Sequence, residues 1–398
     1  MVCDPAVPGL AGCPAPFPPA STSCRNGVVP GCSTAGMSRT TASLRSTSGW
    51  RGRRKLGRGL LLAGIMTAAL TLAAMSAWTG PAPADNALAR SSPAVTSHPA
   101  LPVAAPPTAP VRPAARRPVA PPVIVAAGDI ACDPASRSFH HGRGAAAACH
   151  MGATARLLGK LHPVVVLTLG DNQYENGTLA KFRRSYDRSW GRLKGRTRPA
   201  PGNHDYRTGG AAGYFGYFGA AAGRRSTGYY SFDVGGWHLI ALNSECAQVG
   251  GCARGSRQVR WLRADLAAHP ARCTLAYWHK PRFSSGMHGN DATYTAFWQT
   301  LYRAGAEVVL VGHDHDYERF APQTPTGRAD PTSGIRQLVV GTGGKTHYGF
   351  RTIRANSQVR NSGTFGVLRL TLRPSGYDWR FVPEPGKSFT DRGHGSCH

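Results

Sequence analysis

Acid is scarce in this chain: 20 Asp and Glu stand against 47 Lys and Arg, for a formal charge of +27 over 398 residues. Lysine is scarce as well, at 7 against 40 Arg. The first 122 residues hold 12 of the 47 basic and 2 of the 20 acidic residues, so residues 123–398 keep 35 against 18, or +17. Such a surface favours anionic partners: phosphate esters, nucleic acid or cell-envelope polymers. A GC-rich coding bias accounts for the arginine excess equally well. No cysteine pair has C-x-x-C spacing, which argues against a zinc knuckle. No Gly-x-Ser-x-Gly elbow occurs, so serine-hydrolase chemistry has no foothold. No internal repeat is visible. The glycine run Gly341-Thr342-Gly343-Gly344 reads as a tight turn rather than a nucleotide-binding loop.

Long apolar runs are also missing, with one exception. Arg51 to Arg58 is a basic stretch, followed by twenty uncharged, mostly apolar residues, Gly59 to Trp78, and by the small-residue sites Ala82-Pro83-Ala84 and Ala87-Leu88-Ala89. That is the layout of an export signal. Arg53-Arg54 also permits a twin-arginine route, and the run is long enough to remain as an N-terminal membrane anchor. Residues 1–89 are therefore expected to be an extension carrying the signal or anchor at 59–78. Residues 90–122, rich in Pro and Ala, are expected to be a disordered linker. A secreted or extracellular location follows. Cys132, Cys149, Cys246, Cys252, Cys273 and Cys397 remain after export, an even number that suits an oxidising compartment. The short spacing favours Cys246 with Cys252 and then Cys132 with Cys149, leaving Cys273 for Cys397.

Order is expected over 123–398. Val123 to Val125, Val164 to Leu169, Cys273 to Trp278 and Val308 to Val311 are short apolar runs of the kind buried on both faces of a sheet. Further strands are expected at Tyr229–Val234, Trp237–Asn243, Ile335–Gly341, Phe365–Leu372 and Tyr377–Val382. Helices are expected at Gly144–Leu161, Thr178–Trp190, Ser256–Ala268 and Ala292–Ala304. Strands alternating with helices, then a strand-rich end, predict an α/β fold: two mixed β-sheets packed together with helices outside, a four-layer αββα sandwich.

Five segments hold Asp, Asn or His where an apolar run ends: Gly128-Asp129, Gly170-Asp171-Asn172-Gln173-Tyr174, Gly202-Asn203-His204-Asp205, Tyr277-Trp278-His279 and Gly312-His313-Asp314-His315. Ligands in open α/β sheets gather beyond the carboxyl ends of strands. Taken singly, each segment has a plain explanation: a turn or helix cap at Asp129, a turn at Gly202-Asn203, a hydrogen-bonded core residue at His279. Taken in order, they could supply two adjacent metal ions.

The set resembles the calcineurin-like metallophosphoesterase superfamily, whose pattern runs Asp-x-His, Gly-Asp, Gly-Asn-His-Asp/Glu, a lone His and Gly-His-x-His. Here Asp129-Ile130-Ala131 lacks the first His. The purple acid phosphatase branch lacks it too and uses a Tyr three residues after the second Asp, where this chain has Tyr174. His313 to Arg319 also resembles that branch's His-x-His-x-Tyr-Glu-Arg. The resemblance implies one metal held by Asp129, Asp171, Tyr174 and His315, and another by Asp171, Asn203, His279 and His313. A phenolate suits Fe(III), and the second site suits a divalent ion such as Zn, Mn or Fe. The resemblance further implies hydroxide at the metals attacking phosphorus in line, with His204 contacting phosphate or protonating the leaving group. His288, nine residues after His279, matches a substrate-contacting His of that branch. Glu318 and Arg319 are expected to form a structural ion pair.

The expected function is a secreted phosphomonoesterase acting on phosphate esters. A phosphodiesterase or nucleotidase with the same metals is the alternative within the enzyme class. A non-catalytic extracellular module binding anionic envelope polymers is the alternative outside it. No sequence-specific recognition of nucleic acid is expected, and the oligomeric state stays open.

Overall fold

The computed structural model describes residues 120–398. The export segment or anchor expected within 1–89 lies outside the described residues, as does the 90–122 linker apart from its last three residues. Among the described residues no helix is long and apolar enough to cross a membrane.

In chain order the strands are β1 (Val123–Ala127), β2 (Val165–Leu169), β3 (Thr197–Ala200), β4 (Tyr230–Val234), β5 (Trp237–Ala241), β6 (Cys273–Tyr277), β7 (Val308–Val311), β8 (Tyr317–Phe320), β9 (Arg336–Val340), β10 (Ser357–Asn361), β11 (Gly366–Arg373), β12 (Gly376–Pro383) and β13 (Arg392–Ser396). They form a six-stranded sheet, β13-β12-β11-β1-β2-β3, and a seven-stranded sheet, β10-β8-β9-β7-β6-β5-β4. Both are mixed. Strands β1, β2 and β3 run parallel, as do β5, β6, β7 and β9, whereas the flanking strands pair antiparallel.

Side-chain alternation along the strands builds the layers. Trp237, Leu239 and Ala241 of β5 enter an apolar cluster with Ile124, Leu167 and Leu368 of the other sheet. Their neighbours Ile240 of β5 and Ala276 of β6 face the opposite way, packing with Leu262 and Trp298 from the helices Arg257–Ala268 and Thr295–Arg303. The helix Met151–Leu161 covers the outer face of the six-stranded sheet through Met151, Leu157 and Leu158. Both sheets are thus covered on both faces, the condition that lets the parallel strands be apolar throughout. The result is the four-layer sandwich expected from the strand and helix pattern.

The differences have local causes. The helix expected from Gly144 begins at Met151, because Ala145 and Ala148 bridge to each other and Cys149 takes a left-handed backbone, φ 67°. The helix expected at Thr178–Trp190 is three residues of α-helix, Leu179–Lys181, followed by a wide turn at Phe182–Tyr186 whose last amide donates to Gln173 Oε1. Strands β3, β8, β10 and β13 escape sequence patterning: β3, β10 and β13 carry few apolar residues, β13 being Arg-Gly-His-Gly-Ser, and β8 is only four residues, Tyr-Glu-Arg-Phe, with two charges at its centre. The Glu318–Arg319 ion pair does not form. Arg319 Nε instead donates to Asp391 Oδ2 at 2.7 Å, while Glu318 accepts from the Ser285 amide at 2.8 Å. The aromatic run Tyr214-Phe215-Gly216-Tyr217-Phe218 lies in a buried helix, Ala212–Phe218, with Tyr217 stacked on Phe182 and Phe218 packed against Tyr186 and Tyr214.

Three disulfides join Cys132–Cys149, Cys246–Cys252 and Cys273–Cys397, the first two as the spacing suggested and the third as elimination left it. The last spans 124 residues and fastens β13 to the start of β6. Closing a loop that long removes much of the unfolded chain's freedom. Replacing Cys273 and Cys397 together by Ser is expected to lower unfolding free energy by about 4 kcal/mol, measured by urea denaturation. An unchanged midpoint would show that the tail needs no staple.

Candidate metal centre

The five motif segments meet beyond the carboxyl ends of β1, β2, β3, β6 and β7. Asp129 follows β1, Asp171 follows β2, Asn203 follows β3, His279 follows β6 and His313 follows β7. All nine residues singled out in the sequence fall into one connected group. Tyr174 Oη donates to Asp129 Oδ1 at 2.8 Å and lies 3.0 Å from His315 Nε2, which is itself 3.3 Å from Asp129 Oδ1. Asp129 Oδ2 accepts from the His313 amide at 2.9 Å. His279 Nε2 is 3.4 Å from Asp171 Oδ2, 3.2 Å from Asn203 Oδ1 and 3.2 Å from His313 Nδ1. Asp129, Asp171 and His279 present ligand atoms within 4.8 Å of one another.

Supporting hydrogen bonds fix which nitrogen each histidine presents. His279 Nδ1–H donates to the Leu169 carbonyl at 2.8 Å, so Nε2 faces the acids. His315 Nδ1 pairs with Thr346 Oγ1 at 3.0 Å, and its Nε2 likewise faces Asp129. Metal-binding histidines are usually held in this way. Tyr348 stacks on the His315 ring at 4.0 Å. Neither Thr346 nor Tyr348 was identified in the sequence, since both sit in a loop with no motif of its own. That loop contains Gly344-Lys345-Thr346, as a nucleotide-binding loop would, but Val339 stands where such a loop needs its first glycine. Lys345 bonds Glu175 instead of facing an open cradle.

Backbone geometry holds the acids close. Asp129, Asp171 and His313 have φ of 60°, 45° and 72°, in the left-handed region that non-glycine residues rarely occupy. Each such residue costs about 1–3 kcal/mol, and such strain collects at functional sites. Two glycines make room for them. A Cβ on Gly170 would lie 2.5 Å from the His279 ring, and one on Gly202 would strike the Asp171 carboxylate. Buried Asp205, the last residue of the third motif segment and given no role from the sequence, holds the Gly202 loop by accepting from the amides of Gly202 and Asn172. Burial and the Asp171 charge push its carboxyl up to about 7.

The two central carboxylates are buried, at 0 % exposure for Asp129 and 2 % for Asp171, and among the described residues neither pairs with Lys or Arg. Burial opposes ionisation of Asp171, but His279 overrides it and holds the group below the usual carboxylate range. Burial alone would lower the His279 pKa; Asp171 outweighs it and pushes it up to about 10. The acids therefore draw a proton onto a buried imidazole whose free nitrogen points at them. A cation placed there would displace that proton and meet two carboxylates, three imidazoles, an amide oxygen and a phenol. This donor set fits hard and borderline metal ions.

Two histidines flank the group. The His204 amide donates to Asp171 Oδ1 at 2.8 Å, its Nδ1–H donates to the Glu175 carbonyl at 2.6 Å, and its Nε2 stands 3.9 Å from Asp171 Oδ2. His288 is exposed, packs on the His313 ring at 3.9 Å, and is held through Nδ1 by Asp314 at 2.8 Å. Each is left with Nε2 free. Gly202→Ala is expected to displace Asp171 and reduce metal bound after dialysis at least about 10-fold, with far-UV circular dichroism unchanged. Full metal content in that variant would show that the Gly202 approach is dispensable.

Residues 122–317 match the family model of calcineurin-like phosphoesterases. Purple acid phosphatase 18 of Arabidopsis thaliana is 33% identical over 129 residues, 31% of this chain and 28% of that protein. Acid phosphatase A of Cryphonectria parasitica is 29% identical over 139 residues, 29% of this chain and 28% of that protein. The chain spans less than a third of the length of these curated relatives. Among solved structures, a purple acid phosphatase from yellow lupin (Lupinus luteus) seeds shares the fold, with a TM-score of 0.54 at 18% identity over 68% of this chain and 53% of the other. GAP50, the anchor in the inner membrane complex of Plasmodium, shares it too, with a TM-score of 0.51 at 14% identity over 69% of this chain and 89% of the other. Residues 122–317 thus match the calcineurin-like phosphoesterase domain, and the chain resembles the purple acid phosphatases.

Proposed function

We propose that this chain is a secreted, metal-dependent phosphohydrolase, chiefly a phosphomonoesterase, working through a dinuclear centre. The observation that carries the proposal is the pair of buried carboxylates, with no Lys or Arg paired to either among the described residues, ringed by five further donors. Asp129, Asp171, Tyr174 and His315 would hold one ion, and Asp171, Asn203, His279 and His313 the other. Bound there, two ions supply Lewis acidity toward phosphoryl oxygens and a hydroxide nucleophile at neutral pH. Burial and neighbouring Asp129 raise the Tyr174 phenol well above its ordinary pKa. A strongly polarising cation is needed to hold it as phenolate, which favours Fe(III) there and Zn, Mn or Fe as the divalent partner.

The chain's own residues do the rest. His204, anchored through its Nδ1, presents Nε2 beside Asp171, where it can bind a phosphate oxygen or hand a proton to the leaving alkoxide. His288, held by Asp314, can contact phosphate from the exposed side. The positive charge of residues 123–398 favours arrival of anionic esters, and three disulfides suit an exported protein. The fold alone does not separate enzyme from scaffold, because GAP50 is described as an anchor. The full donor set is what favours catalysis over a non-catalytic polymer-binding module.

Assay of the purified chain on chromogenic mono- and diesters tests the proposal. Asn203→Ala and His279→Ala are each expected to cut kcat/KM at least about 100-fold; undiminished turnover would refute the two-metal reading. Tyr174→Phe is expected to abolish a visible phenolate-to-iron absorption band, and a wild-type protein with no such band would refute Fe(III) at that position. His204→Ala should slow alkyl esters by about 100-fold or more while sparing nitrophenyl esters, whose leaving group needs no proton. Equal loss on both substrates would leave His204 as a phosphate contact rather than an acid.

A further inference from the structure

A second cluster of metal-binding side chains lies where the seven-stranded sheet ends at β4, away from the centre described above. His238 is on β5, beside Thr274 of β6. His279 comes five residues after Thr274, so the two clusters are separated by roughly 16 Å along the strands. His238 Nε2 is 3.0 Å from Asp265 Oδ2, at the carboxyl-terminal end of the helix Arg257–Ala268. His269, just past that helix, stacks on the His238 ring at 4.8 Å and 12°, with Nδ1 3.5 Å from Asp265 Oδ1. The three side chains present ligand atoms within 4.8 Å of one another.

We propose that His238, Asp265 and His269 form a further divalent-cation site, suited to zinc, that clamps the helix end to the edge of the sheet. Two donors on one tetrahedral zinc ion, each about 2.0–2.1 Å from it, stand roughly 3.3 Å apart. The His238 Nε2–Asp265 Oδ2 and His269 Nδ1–Asp265 Oδ1 separations, 3.0 and 3.5 Å, lie on either side of that value, one to each oxygen of the carboxylate. The surroundings also match a metal site. Asp233 Oδ1 takes the other nitrogen of His238 at 2.8 Å, the carboxylate-to-histidine contact that orients metal-binding imidazoles. Ser231 Oγ donates to Asp265 Oδ1 at 2.7 Å and fixes that carboxylate. His238 is 1 % exposed, yet Asp265 lines a surface cavity of about 740 Å3, which supplies an entry path. The half-exposed His269 would exchange its Nδ1–H bond to the Asp265 carbonyl for the ion and leave one position to water. Two nitrogens and a carboxylate suit zinc among the common divalent ions.

The competing arrangement has no ion: a protonated His238 bridging Asp233 and Asp265. Burial opposes that proton, but Asp265 and Asp233 together raise the His238 pKa. Zinc would replace the proton on Nε2, so the two states are alternatives at one position.

Metal-stripped full-length chain, titrated with Zn2+ by calorimetry and counted by elemental analysis after desalting, decides between them. Wild type is expected to hold one more zinc than either His269→Ala or Asp265→Asn. In His269→Ala the affinity of that equivalent should fall at least about 100-fold. Hydrolysis by His269→Ala at saturating metal should be unchanged, because His269 lies outside the phosphoesterase centre. Equal zinc content in wild type and both variants, each folded by circular dichroism, would overturn the site and leave the protonated bridge. The zinc count does not depend on turnover, so its outcome stands whether or not the chain hydrolyses phosphate esters.

Discussion

Two carboxylates, Asp129 and Asp171, are buried beside each other with no Arg or Lys paired to either among the described residues. Burying an ion costs several kcal/mol unless a partner compensates it. Most features around them follow from that constraint. His279 is drawn toward the protonated state, His279 and His315 are anchored through Nδ1 so that Nε2 faces inward, and Gly170 and Gly202 exist where a Cβ would push the group apart. A cation is the compensation that this arrangement fits.

The fold makes the site without any one element containing it. Five parallel strands from two sheets end together, and each contributes a residue just past its last ladder hydrogen bond. Ordinary turns there would leave the side chains splayed. The left-handed backbone at Asp129, Asp171 and His313 aims them inward instead, at a local cost that the two covered sheets absorb. The contacts of Gln173 with the Ala131 and Cys132 carbonyls tie the first two ligand loops together, and the Cys132–Cys149 disulfide fastens the first of them to the segment that leads into the helix Met151–Leu161.

Much of this was legible in the sequence because buried parallel strands announce themselves as short apolar runs. The residue after each run is then visible even in one sequence, which is why Asp129, Asp171, His279 and His313 stood out. Tyr174 emerged from an absence, Ala131 where a histidine would be expected. What stayed hidden lacks such a signal. Thr346 and Tyr348 support His315 from a loop that only folding brings near, and the part Asp205 plays in bracing the Gly202 turn shows only in its hydrogen bonds. Strand β13 is held by backbone pairing and a disulfide rather than apolar side chains, so no periodicity marks it. The Glu318–Arg319 pair failed for a related reason: adjacent residues on a strand point to opposite faces, and Arg319 reached the distant Asp391.

Anomalous diffraction from crystals of the metal-loaded protein tests the central claim most directly. Two peaks about 3.5–4 Å apart, both within bonding distance of Asp171, are the result this account predicts. A single peak, or none between Asp129 and His279, would contradict it.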